Sequence, residues 1–157
     1  VSRIHFYGSE LRGQFRELIE KYDLEPQDIE LEITESLCSE DSGKIFDTIR
    51  ELQSDGFRIA MDDFGSGYSS LNMLKDIKAD VLKIDMGFLR ETENHIRSRV
   101  ILNSIINMSR KLGMQVVSEG VEKQEQIEVL KEMGCDFFQG YFFSKPIKVE
   151  DFEKRYM

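Results

Sequence analysis

Apolar and polar positions along the chain fall into two alternating rhythms. Five short runs read as buried strands: IELEIT (29–34), RIAMDDF (58–64), DVLKID (80–85), QVVSEG (115–120) and DFFQGYFF (136–143). Between them the apolar period lengthens to that of a helix. In SGKIFDTIRELQSDG, Ile45, Ile49 and Leu52 share one face, and Gly56 marks the stop. SSLNMLKDIKA is short and opens on serine. ENHIRSRVILNSIINMSRKLG is long and closes at Gly113. KQEQIEVLKEMG repeats the design with Ile127, Leu130 and Gly134. A leading helix from Ser9 to Tyr22 and a closing helix from Val149 to Tyr156 flank the set. The stripe Val100, Ile101, Ile105 and Met108 reads as core or as a dimer helix.

Strand alternating with helix is the signature of an α/β fold with a parallel sheet. Two architectures compete, an open doubly wound sheet and a (β/α)8 barrel. No Gly-x-Gly-x-x-Gly follows the first strand, which weakens the nucleotide-binding open sheet. A complete barrel takes about 250 residues. The expectation is therefore a partial TIM-type barrel of five to six βα units with the first units missing, one shortened domain over residues 1–157.

The strand ends carry the chemistry. Glu32 lies near the end of the first strand with Glu35 beyond it, and the second ends in Asp62 and Asp63. Lys83 and Asp85 sit two apart in the third, the fourth leads to Glu119 and then Glu122, and the fifth carries Gln139. In α/β folds this is the edge where sites are built. Leu31, Ile33, Leu82 and Ile84 take the helix-packed face, so Glu32, Lys83 and Asp85 point the other way. One lysine cannot neutralise so many acids, and burying unpaired carboxylates is prohibitive. Hard divalent cations, Mg²⁺ or Mn²⁺, held by oxygen ligands solve the problem. A pair of such ions activates water and stabilises the leaving oxygen in phosphodiester cleavage. Metal-dependent hydrolysis of a phosphate ester is the leading reading. Asp63-Phe64-Gly65 spells a kinase motif, but no His-Arg-Asp, Gly-rich ATP loop or Val-Ala-Ile-Lys accompanies it.

Composition narrows the partners. The net charge of −9 disfavours duplex DNA and acidic membranes. No apolar run approaches the length of a membrane span and no cleavable signal pattern is present, so the expectation is a cytoplasmic protein without membrane contact. Cys38 and Cys135 have no metal-type spacing and read as reduced thiols. Glu125, at a helix start, reads as dipole and solvent. His5 and His95 carry no assigned role.

ELEITES, AMDDFGSGYSSL, LKID, VVSEGVE and QGYFFSKP together resemble successive motifs of EAL domains, bacterial cyclic di-GMP phosphodiesterases on a modified (β/α)8 barrel. The resemblance implies metal ligation by Glu32, Asp62 and Asp63, with Asp85 joining a second metal's shell. It implies that Lys83 orients the attacking water and that Glu119 is general base or metal-shell member. Gln139 and Glu122 match outer positions near substrate. Glu35 matches the anchor of the mobile loop Phe64–Ser70, which links metal binding to dimer contacts. The implied ligand is cyclic di-GMP, the product linear pGpG, and the assembly a homodimer with a cyclase-like or sensor domain upstream. The Glu-Ala-Leu motif itself and the family's metal-ligand Asn would lie before Val1. The alternative is a catalytically silent cyclic di-GMP-binding or dimerisation module.

Overall fold

The structure is a computed structural model and describes residues 11–34, 42–64, 70–85, 87 and 96–157. In chain order the elements are α1 (Leu11–Tyr22), β1 (Glu30–Thr34), α2 (Ser42–Ser54), β2 (Arg58–Phe64), α3 (Ser70–Asp76), β3 (Val81–Ile84), α4 (Ile96–Lys111), β4 (Gln115–Ser118), α5 (Gln124–Glu132), β5 (Phe137–Phe138) and α6 (Val149–Tyr156). A 3-10 turn, Pro26–Asp28, leads into β1. Among the described residues no helix is long and apolar enough to cross a membrane.

All five strands are parallel, and their order in the sheet is their order in sequence. A doubly wound sheet reverses direction at a switch point. Strict succession is instead the arc of a βα barrel, which decides between the two architectures the sequence left open.

Alternation works as expected at β1. Leu31 and Ile33 are buried while Glu30 and Glu32 are exposed. Ile33, Ile59, Leu82, Ile84 and Val116 pack under Ile45, Ile49 and Leu52 of α2, Leu102 and Ile106 of α4, and Ile127 and Leu130 of α5. Each such side chain contributes about 1.5–3 kcal/mol by leaving water. Gly56 and Gly113 end α2 and α4 with φ of 97° and 80°, which a side chain would resist.

One device locks two of the strand entries. The Asp80 N–H donates to Ile59 O at 2.8 Å, and its Oδ2 accepts from Ile59 N at 2.8 Å. Asp136 repeats this on β4, donating to Val116 O at 3.2 Å and accepting from Val116 N at 2.8 Å. The segments before them also match, Gly56-Phe-Arg-Ile-Ala-Met-Asp62 and Gly113-Met-Gln-Val-Val-Ser-Glu119. Each carries an acid out of its strand at the C-terminal end, so similar local sequence places both Asp62 and Glu119.

One expectation needs correction. The run 136–143 yields a strand of only two residues, because the chain turns back at Gly140: Phe142 N donates to Val121 O and Phe143 N to Gly140 O. The buried face of α4 is Leu102, Ile106 and Ser109, while Val100 and Ile101 are exposed and Ile105 and Met108 are half-buried.

Ser118 is fully buried, and its Oγ finds no partner among the described residues. An unsatisfied buried hydroxyl costs about 1–3 kcal/mol. Ser118→Ala is therefore expected to raise the melting temperature by about 2–4 °C, the shift that 1 kcal/mol brings in a chain of this size. A lower value in calorimetry would show that the hydroxyl has a partner. Cys135 is buried against Val116 O and Phe137 O, and burial pushes its thiol up to about 11. At pH 8 roughly one molecule in a thousand carries the thiolate. Alkylation of Cys135 by iodoacetamide, followed by peptide mapping, is expected to be negligible in the folded protein and rapid in urea.

Candidate active site

The C-terminal strand ends bring four of the sequence-expected residues onto one another. Lys83 Nζ, its side chain only 8% exposed, lies 2.5 Å from Glu32 Oε1, 2.9 Å from Glu119 Oε1 and 3.2 Å from Asp62 Oδ1. Register explains the meeting. Glu32 is on β1, Asp62 on β2 and Lys83 on β3, while Glu119 leaves β4 with its N–H bonded to Ile84 O at 3.0 Å. Burial alone would pull the Lys83 ammonium down. Hydrogen bonds donated to Glu32, Glu119 and Asp62 outweigh it and hold the pKa above the ordinary lysine range.

Two aspartates in sequence should point to opposite faces of a strand. Here the register breaks: Met61 pairs with Leu82, but Phe64 pairs with Ile84, so Asp62 and Asp63 together oppose Lys83. That bulge re-aims side chains. Asp63 also sits at φ 55°, a strained conformation for a residue other than glycine. Its N–H is tied to Asp62 Oδ1 at 3.1 Å. One carboxylate oxygen each from Asp62, Asp63 and Glu119 then lies within 4.8 Å of the others. The donor set is all oxygen and carries three negative charges, which fits a hard divalent ion better than a thiophilic one. Burial, then Asp62 and Asp85, raises the pKa of Asp63. Burial also raises Glu119, against the pull of Lys83.

The remaining residues form a second layer. Asp85 stands outside the three-carboxylate group and accepts from Gly87 N at 2.6 Å. With Glu119, Glu122, Gln139 and Tyr141 it lines a cavity of about 420 Å³. Glu35 and residues 65–69 of the expected mobile loop lie outside the described residues, as do Cys38, His5 and His95.

A family model, the EAL domain, matches residues 1–146. The chain belongs to the EAL domain family. The signaling protein YkoW of Bacillus subtilis is 41% identical over 157 residues, covering 98% of this chain and 19% of YkoW. The bifunctional diguanylate cyclase/cyclic di-GMP phosphodiesterase MucR of Pseudomonas aeruginosa is 35% identical over 96% of this chain and 22% of MucR. The solved MucR phosphodiesterase, a c-di-GMP complex, superposes with a TM-score of 0.87 at 35% identity, over 96% of this chain and 61% of that one. Klebsiella pneumoniae BlrP1, solved with manganese and cyclic di-GMP, gives 0.85 at 29% identity, over 90% of this chain and 36% of BlrP1. A calcium complex of BlrP1 is also similar. The chain spans about a fifth of the length of the curated relatives it matches.

Reasoning from sequence alone passes over two residues at this EAL site. A Cβ on Gly140 would stand 2.1 Å from Val121 O, so only glycine lets the Gln139–Tyr141 turn close on the loop after β4. Gln126 Oε1 accepts from the N–H groups of Glu122 at 2.9 Å and Lys123 at 3.1 Å. Its position at the third residue of α5 is a capping signal that the sequence did display.

Proposed function

We propose that this EAL domain hydrolyses cyclic di-GMP to linear pGpG in a metal-dependent reaction. The observation that carries the reading is the convergence of Glu32, Asp62 and Glu119 on the buried Lys83, with Asp63 brought alongside by the bulge. Asp62, Asp63, Glu119 and Glu32 would hold Mg²⁺ or Mn²⁺, with Asp85 behind them. The bound ion would supply Lewis-acid charge neutralisation at the phosphate. The chain's own groups do the rest. Lys83 holds the attacking water in place and meets charge developing on the phosphorus oxygens. Glu119 takes the water's proton. Water adds to phosphorus as one ester P–O bond breaks, and the departing oxygen is protonated from solvent. Glu122 and Gln139 hold the outer part of the ligand in the 420 Å³ cavity. Ile96, Val100 and Ile101, each more than half exposed along α4, provide the contact strip of a homodimer. In the cell the domain works in the cytoplasm beneath an upstream cyclase-like or sensor domain.

The test is incubation of the chain with cyclic di-GMP and Mn²⁺ or Mg²⁺, followed by chromatography. Linear pGpG that disappears on adding EDTA is the expected result. Wild-type rates from Asp62→Asn would sink the mechanism. Calorimetric binding without turnover would favour the silent-module reading, and absence of both would overturn the proposal.

A further inference from the structure

The loop between β4 and α5 carries Glu119 and Glu122, and nearly every N–H along it is held. Glu119 N bonds Ile84 O at 3.0 Å and Val121 N bonds Gln139 O at 3.0 Å. The next two, Glu122 N and Lys123 N, both bond to one atom, Gln126 Oε1. The first two anchors are main chain and come with the sheet. The third is a single half-buried side chain, one turn into α5. Beneath it Val121 is fully buried, and α5 is fixed by Ile127 and Leu130 in the core. Gln126 therefore ties a segment bearing two site carboxylates to a rigid helix. Hydrogen bonds behind a ligating or reacting side chain fix its orientation, and their loss typically costs 10- to 100-fold in metal affinity or activity.

We infer that Gln126 is a positioning residue: its Oε1 clamps the Glu122–Lys123 end of the loop that carries Glu119, and through it helps set where Glu119 stands against Lys83 and the Asp62–Asp63 pair. This rests on the proposed function for its consequence, but not for its geometry. Glu119 Oε1 is 2.9 Å from Lys83 Nζ and within 4.8 Å of ligand oxygens of Asp62 and Asp63. A shift of about 1 Å in the loop takes Glu119 out of hydrogen-bond reach of Lys83, and errors of that size are costly in catalytic sites.

The experiment compares Gln126→Ala, Gln126→Glu and Gln124→Ala with the parent chain. The first removes the acceptor. The second keeps an acceptor oxygen at the same reach, and carboxylates are favoured in a first helical turn. The third is a control, since among the described residues the Gln124 side chain bonds along its own helix, to Glu128 at 3.4 Å. Expected for Gln126→Ala are a crystal structure in which Glu119 no longer meets Lys83, Mn²⁺ binding about tenfold weaker by calorimetry, and a kcat that falls more than KM rises. Gln126→Glu is expected to restore all three, and Gln124→Ala to change none. A Gln126→Ala crystal structure with Glu119 still on Lys83 and Glu122 still lining the cavity overturns the inference. So does Gln126→Glu failing to restore the Lys83 contact. If the parent chain binds no Mn²⁺ and turns over no cyclic di-GMP, the functional reading falls. The crystallographic position of Glu119 then decides the positioning claim by itself.

Discussion

Lys83→Met is expected to lower the melting temperature of the metal-free chain by about 6–12 °C and to make its response to Mn²⁺ larger than that of the wild type. Three carboxylates lie within 3.2 Å of Lys83 Nζ, and the ammonium is nearly buried. Methionine keeps the apolar stem and removes the charge. Glu32, Asp62 and Glu119 are then left facing one another, with Asp63 alongside. Removing one partner of a buried ion pair costs about 3–5 kcal/mol. The low end applies here, because Glu32 is 47% exposed and water reaches the cluster from that side. About 3 kcal/mol gives the stated shift for a chain of this length. The response to metal has the opposite sign. In the wild type a divalent ion shares its carboxylates with a resident cation, whereas in the variant it is the only counter-charge. Stabilisation by a ligand grows with its affinity for the folded state, so Mn²⁺ should restore most of the lost stability. Hydrolysis should not return with it, since nothing then holds the water. Thermal melts with and without Mn²⁺, run beside an assay for pGpG, check all three points. An unchanged metal-free melting temperature would mean that Lys83 does not neutralise the cluster.

Side-chain periodicity carried most of the fold and part of the site. In ELEIT and VLKI, strict alternation separates Leu31, Ile33, Leu82 and Ile84 from Glu32 and Lys83, and the structure keeps that separation. Where chain path departs from periodicity, the sequence is silent. Nothing in MDDF announces that β2 gains a residue against β3, yet that bulge brings the second aspartate to the same end as the first. In DFFQGYFF the aromatic residues satisfy every preference for strand. The close approach of Gly140 to Val121 overrides them and ends the strand after Phe138. On α4 four apolar residues mark a stripe that divides: Ile105 and Met108 pack against the core beside Leu102 and Ile106, while Val100 and Ile101 stay exposed. Local apolar count is a weak guide when a helix is apolar on more than one side. Gln126 is the instructive omission. In a window of Lys, Gln and Glu its capping position is easily read as solvated helix surface, and the main-chain path of the preceding loop gives its Oε1 a second donor.

Glu119→Gln is expected to reduce kcat for cyclic di-GMP by roughly 10²- to 10⁴-fold, the usual worth of a positioned general base, while ligand binding stays within about threefold of wild type. Glutamine matches glutamate in size and keeps an oxygen within reach of Lys83 Nζ, now 2.9 Å away. It cannot accept a proton. Glu119 has two conceivable duties, as base and as metal ligand, because its carboxylate touches Lys83 and also lies in the group formed with Asp62 and Asp63. These duties respond differently to metal concentration. A lost ligand weakens the site, and raising Mn²⁺ refills it, so activity would recover. A lost base leaves a filled site with no acceptor for the water's proton, and no concentration of Mn²⁺ brings activity back. Under the proposed function the second outcome is the expected one. Lys83 holds one Glu119 oxygen, and the residue also lines the 420 Å³ cavity where the ligand would sit, so in the proposed reaction Glu119 would face the ligand as well as the metal. Asp62→Asn is the matching control, on the neighbouring strand and in the same carboxylate group. Its loss should be partly recovered by excess Mn²⁺. Recovery of Glu119→Gln to the same degree would leave Glu119 as a metal ligand alone and remove it as the proton acceptor.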